Sequence, residues 1–345
     1  MMWTMRSVAL AAVVLLVAQQ DTSSRIGAEI ERTRTAVSTS VAEQQRAGAL
    51  ARLDRASKAV AAGRPFLALY LLESPWEMSR AFAIGEKASA EATTLEAFDR
   101  LWNRMGEPRA LPPDRTPRPA IVDAIVEVAV GRGPATFRAS RAYAQDSGVE
   151  AGWYYLGESR AVGEFAAFAR GIAWPDDTTR LAAPAFRSIA PEITAFDSEI
   201  EAAYQHMERA NHPTYITVSA LMKQARVLEE GGSRRGALLE YLIARYLFAQ
   251  LRAEPAVDGE AAASALAAAR ASLDRTHDHS IAQLFLDLGD ENVRSTDAAV
   301  RKSAAAVASD VLPAYFRAIG PAQATTTEAS AKPAVTITLV RWPFT

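Results

Sequence analysis

The sequence predicts an all-α fold of stacked helical hairpins with a short C-terminal β-strand. Three observations carry that expectation. Alanine supplies 72 of the 345 residues, and it is the strongest helix former. Glycines and prolines cut the chain into apolar-periodic segments of roughly 10–20 residues with short connections, as in paired helices. Alternating β-branched residues are convincing only at the end, over residues 335–342 (VTITLVRW).

The elements follow in order. Arg6 precedes an apolar run over residues 8–18 (VALAAVVLLVA), after which the chain turns polar at Gln19. Eleven apolar residues are too few to span a bilayer, which takes about 20, but suit the core of a secretory signal. Residues 1–18 are therefore expected to be a signal peptide, cleaved after Ala18 or kept as an anchor. Residues 21–63 read as one long helix or two, with breaks only at Gly27 and Gly48. Ser74-Pro75-Trp76-Glu77 reads as a helix start. Five prolines between Pro108 and Pro119 demand a loop. Helical patterns resume at 120–130, 134–145, 150–173, 190–210, 218–230, 234–253, 260–274, 280–288 and 296–319. Residues 215–218 (YITV) are β-like, or else open a helix after Pro213. The Thr/Ala/Pro tract 321–333 reads as a flexible linker, and 334–345 as a strand tail. The helical domain is thus expected over 19–320.

Composition excludes several function classes. With 38 basic against 40 acidic residues the net charge is −2, whereas a nucleic-acid binder needs a basic excess. No cysteine is present, so disulfides, thiolate metal sites and cysteine nucleophiles are out. No second apolar stretch is long enough for a membrane span once the signal is removed.

Two windows resemble the tetratricopeptide repeat. Gly232 is followed by Ala237, Tyr241 and Ala244 and preceded by Ala225 and Leu228; Gly63 is followed by Ala68 and Leu72 and preceded by Ala56 and Ala59. Trp153, Leu156, Gly157 and Arg160, with Ala169 further on, resemble the family's first helix, and Ala124, Gly131 and Thr136 repeat those offsets. The anchors Ala56, Ala124, Gly157 and Ala225 fall at near-multiples of the family's period of about 34 residues. Arg160 and Ala173 stand where the family has aromatics. The resemblance covers roughly residues 45–255 and implies an α-solenoid; an irregular α-bundle is the alternative. It also implies that Tyr154, Glu158, Met222 and Arg226 face a partner.

Catalytic signatures are weak. Gly157-Glu158-Ser159-Arg160-Ala161 has the outline of a nucleophile elbow, but its helical flanks make Ser159 an ordinary mid-helix serine. His277-Asp278-His279 is the most metal-like stretch; it reads as a capping turn between helices. A zinc would need a third ligand, for which Asp287, Asp290 and His206 are the options. No catalytic, metal or cofactor residue is assigned. The expectation is an exported, periplasmic or secreted, non-enzymatic protein holding a peptide or protein partner. A zinc-dependent hydrolase of envelope material centred on His277 and His279 is the alternative. The tail needs a strand partner: residues 215–218, a second copy, or another protein's sheet edge, the last favoured, with Trp342 and Phe344 as anchors.

Overall fold

A computed structural model describes residues 2–109, 111–112, 114, 116–205, 207–252 and 258–320. The linker and tail expected over 321–345, with Trp342 and Phe344, lie outside them. The described chain is all-α and forms two compact units. One holds the chain up to Thr116 together with Ala129–Asp176; the other holds Pro117–Val128 and the chain from Asp177 on.

The first unit is built from α1 (Met2–Ser40), α2 (Glu43–Ala61), α3 (Pro65–Glu91), α4 (Leu95–Met105), the later part of α5 (Ala120–Asp146), and α6 (Val149–Arg170). α3 is its spine, packing against α1, α2, α4 and α6. α1 joins the core through Ile26, Ile30 and Val37, and Thr22 Oγ1 donates to Ala173 O. Ala56 and Ala59 of α2 and Ala68 and Leu72 of α3 are all buried. The turn between them holds Gly63 at φ +67°, a conformation that costs glycine least. This hairpin matches the repeat-like window that predicted it.

Pro75 corrects the sequence reading. It lies inside α3, not at a helix start. Proline has no N–H to offer the carbonyl four residues back, which is that of Leu71. The Arg52 guanidinium of α2 supplies the missing donor, Nε to Leu71 O, and an Nη also donates to Tyr70 O, both at 3.0 Å. The helix continues because a neighbouring side chain repairs the break.

The windows around Gly157 and Gly131 are also corrected. Gly157 and Ala169 sit on one continuous α6, and Ala124, Gly131 and Thr136 on one continuous α5. These residues therefore do not mark turns between paired helices. Gly157 serves another purpose: a Cβ there would overlap the Ala81 carbonyl oxygen of α3. Only glycine permits this crossing.

The second unit contains the start of α5, then α7 (Asp176–Thr179), α8 (Ala190–Tyr204), α9 (His212–Glu230), α10 (Arg234–Phe248), α11 (Gly259–Ser272), α12 (Ser280–Asn292), α13 (Ala298–Ala306) and α14 (Leu312–Ala318). Residues 215–218 are helical within α9. α9 and α10 form the hairpin expected at Gly232, which has φ +77°. Ala225, Ala237, Tyr241 and Ala244 are buried along it. Phe196 of α8 meets Tyr241 and Phe248 edge-on, with ring centroids 5.8 and 5.1 Å apart. Among the described residues the only ladder pairs β1 (Ala185–Phe186) with β2 (Ile319–Gly320), antiparallel.

Candidate functional site

Charged and aromatic side chains collect where α3, α5 and α6 meet in the first unit. Glu77 of α3 is 6% exposed and pairs with Arg132 of α5; Glu73, one turn earlier, lies 4.0 Å from the same guanidinium. Glu158 of α6 adds a third carboxylate to the field of Arg132. Burial pushes the Glu77 carboxyl up to about 8; Arg132 opposes the rise, while Glu73 and Glu158 add to it. The Glu158 carboxyl is raised as well, again by burial with Arg132 opposing. Desolvation disfavours the charged form, and one cation cannot compensate three acids.

Tyr154 stands one turn before Glu158 on the same face of α6, so the structure does bring this expected pair together. Its ring packs edge-on to Phe82 at 5.2 Å and to Tyr155 at 5.5 Å. Burial first, and the Glu158 and Glu77 charges second, push its hydroxyl up to about 12. Tyr155 stacks on Tyr143 at 4.0 Å. The rings of Phe82, Trp153 and Tyr154 line a cleft of about 360 Å³, together with Thr39 and Ser40 from α1, Glu86 from α3 and Glu150 from α6. Glu86 and Glu150 are exposed on its rim. Half-buried rings beside solvated carboxylates suit a partner with apolar side chains next to a cation.

The other expected contact residues lie elsewhere. Met222 is 1% exposed, a core residue on the side of α9 that packs in the α9–α10 hairpin. The repeat register had turned it outward; the buried stripe of α9, Val218, Met222, Ala225 and Leu228, turns it in. Arg226 is exposed and pairs with Asp197 of α8. Trp342 and Phe344 lie outside the described residues. Ser159 is fully buried within α6 and donates to Leu156 O at 2.7 Å, as a mid-helix serine does.

In the second unit the His277-Asp278-His279 segment is the connection between α11 and α12, as expected. Asp278 accepts from the backbone N–H groups of Ser280 and Ala120, serving the starts of α12 and α5. The sequence reading missed Asp274, whose carboxylate lies 2.9 Å from His277 Nδ1 and 3.0 Å from His279 Nε2. Asp287 and Asp290 instead pair with Arg270, and His206 lies outside the described residues. The signal in the sequence was local: an acid three and five residues before two histidines in a turn. Hydrogen bonds from Thr276, His279 and His277 hold the Asp274 carboxyl well below the usual carboxylate range.

No protein-family model, curated protein or solved structure matches this chain.

Proposed function

We propose that the chain is an exported, non-enzymatic binding protein of the cell envelope, which holds a basic, partly apolar peptide segment in the cleft beside Tyr154. The observation that carries this reading is the cleft itself, where three helices contribute to the walls and exposed acids stand beside half-buried aromatic rings. Aromatic side chains are frequent binding anchors, and Glu86 and Glu150 give the rim a negative field that draws cations. The α2–α3 and α9–α10 hairpins support the finer, tetratricopeptide-like reading; α5 and α6, each a single helix, do not contribute to it. Export rests on the short apolar run behind Arg6. Cleavage after Ala18 keeps Thr22, Ile26, Ile30 and Val37, which are buried on α1 among the described side chains.

Selection of peptides from a random display library on the purified chain tests the proposal. Lysine- or arginine-containing peptides with an adjacent apolar residue are expected. Their affinity should fall in Tyr154→Ala and in the charge reversal Glu150→Lys, which changes an exposed side chain and leaves the fold intact. Peptides without basic residues, or equal binding by both variants, would refute the cleft as the binding site.

A further inference from the structure

Asp274, His277 and His279 place three ligand atoms within 4.8 Å of one another, at the surface of the second unit and within the single connection between α11 and α12. We propose that these residues form a binding site for a zinc-class divalent transition-metal ion, with water completing the coordination. The inference is independent of the peptide cleft.

The donor set selects the class of metal. Two imidazole nitrogens and one carboxylate suit zinc and its neighbours, whereas calcium and magnesium take oxygen ligands. Tetrahedral zinc at about 2.0–2.1 Å from each ligand places those ligands roughly 3.3 Å apart. The separations of Asp274 Oδ2 from the His277 and His279 ring nitrogens, 3.1 and 3.0 Å, need only open slightly. The two rings, with centroids 6.2 Å apart and tilted by 56°, need only swing inward. The side chains of Asp274 and His277 are 50% and 28% exposed, so the fourth position faces solvent.

The surroundings are those of a held site. His279 is buried, and its Nδ1 lies 2.9 Å from the hydroxyl of Tyr315, a buried residue of α14. A hydroxyl both donates and accepts. It can therefore receive the Nδ1–H when Nε2 turns its lone pair to a metal, which fixes the required tautomer. Asp274 Oδ1 accepts from the Thr276 N–H, the Thr276 hydroxyl and the His277 N–H. Those bonds orient the carboxylate and leave Oδ2 for the ion. The backbone of the connection is itself pinned: Asp278 N donates to Ala182 O, and Ala182 N to Thr276 O.

Calorimetric titration of the EDTA-treated full chain with zinc chloride alone, and separately with calcium and magnesium, tests the site. One equivalent of zinc is expected to bind, with neither calcium nor magnesium competing. Cobalt(II) in its place should give the intense visible bands of tetrahedral coordination. Asp274→Asn, which keeps an acceptor for Thr276, and His277→Ala, which alters a partly exposed ring, should both fold and lose the one-equivalent binding. Tyr315→Phe should weaken it by about 10–100-fold. Absence of stoichiometric binding to the wild-type chain, or undiminished binding by folded Asp274→Asn and His277→Ala, would overturn the proposal. An octahedral cobalt spectrum unaffected by either substitution would do the same.

Discussion

At Gly157 the backbone of another helix occupies the space a side chain would take. Gly157→Ala should force α6 from Ala81 and destabilise the unit by about 1–3 kcal/mol, as overpacking does. Gly163, also inside α6, has open space where a methyl group would stand. Gly163→Ala should therefore stabilise by about 0.5–1 kcal/mol through the unfolded chain's lost freedom. Denaturant melts of the two variants check this contrast, and similar effects at both sites would contradict the assigned crossing. Glu77 gives a second test at this scale. Its folded carboxyl is raised from the ordinary 4.5 to about 8, so the folded state holds the proton more tightly than the unfolded one. Its contribution to stability is present below about pH 4.5, falls as pH rises through that window, and levels off above about 8. Glu77→Gln should flatten this part of the stability–pH profile; an unchanged profile would show that Glu77 is ionised throughout. The repeat resemblance put Tyr154 and Glu158 together, and one turn of α6 does place them on the same face. It could not reveal the burial of Glu77, whose partner Arg132 lies far along the chain on α5, and its register put outward the Met222 that the α9–α10 hairpin buries.

At the scale of elements, hairpins were legible where a glycine with positive φ separates two alanine-bearing segments, as at Gly63 and Gly232. In α5 and α6 similar spacing misled, because glycine inside a helix and glycine ending one look alike in sequence. Gly131, Gly133 and Pro134 all lie within α5. The interior Pro75 was illegible for a related reason: the donor that compensates it belongs to Arg52 on another helix. Arg52→Leu should cost about 1–3 kcal/mol, the penalty for leaving the Leu71 carbonyl unpaired. In a Pro75→Ala background the cost should shrink, because position 75 regains its own N–H. A double-mutant cycle measures the difference, and additivity would contradict the repair. The α9–α10 hairpin has its own test. Ala237→Leu should destabilise by about 1–3 kcal/mol, while Ala267→Leu on the exposed face of α11 should be tolerated, as thermal melts would record.

For the whole molecule, the fold class followed from alanine content and punctuation, whereas the division into two units did not, because α5 contributes to both. Part of the candidate site was readable: the residue pair on α6, and the two histidines of a turn. The walls of the cleft were not, since they come from α1, α3 and α6, more than a hundred residues apart at the extremes. No described helix is long and apolar enough to cross a membrane. The export proposal predicts a mature chain that begins near Gln19, which N-terminal sequencing would establish; an intact Met1 on a membrane-bound chain would contradict cleavage.

The central claim is that the cleft beside Tyr154 receives a peptide. Hydrogen–deuterium exchange of the full chain, with and without a basic peptide selected on it, tests this most directly. The account predicts slowed exchange at the end of α1, along α3 from Phe82 to Ser89, and over the first turns of α6 from Glu150 to Tyr154. Protection confined to the second unit, or none along these segments at saturating peptide, would contradict it.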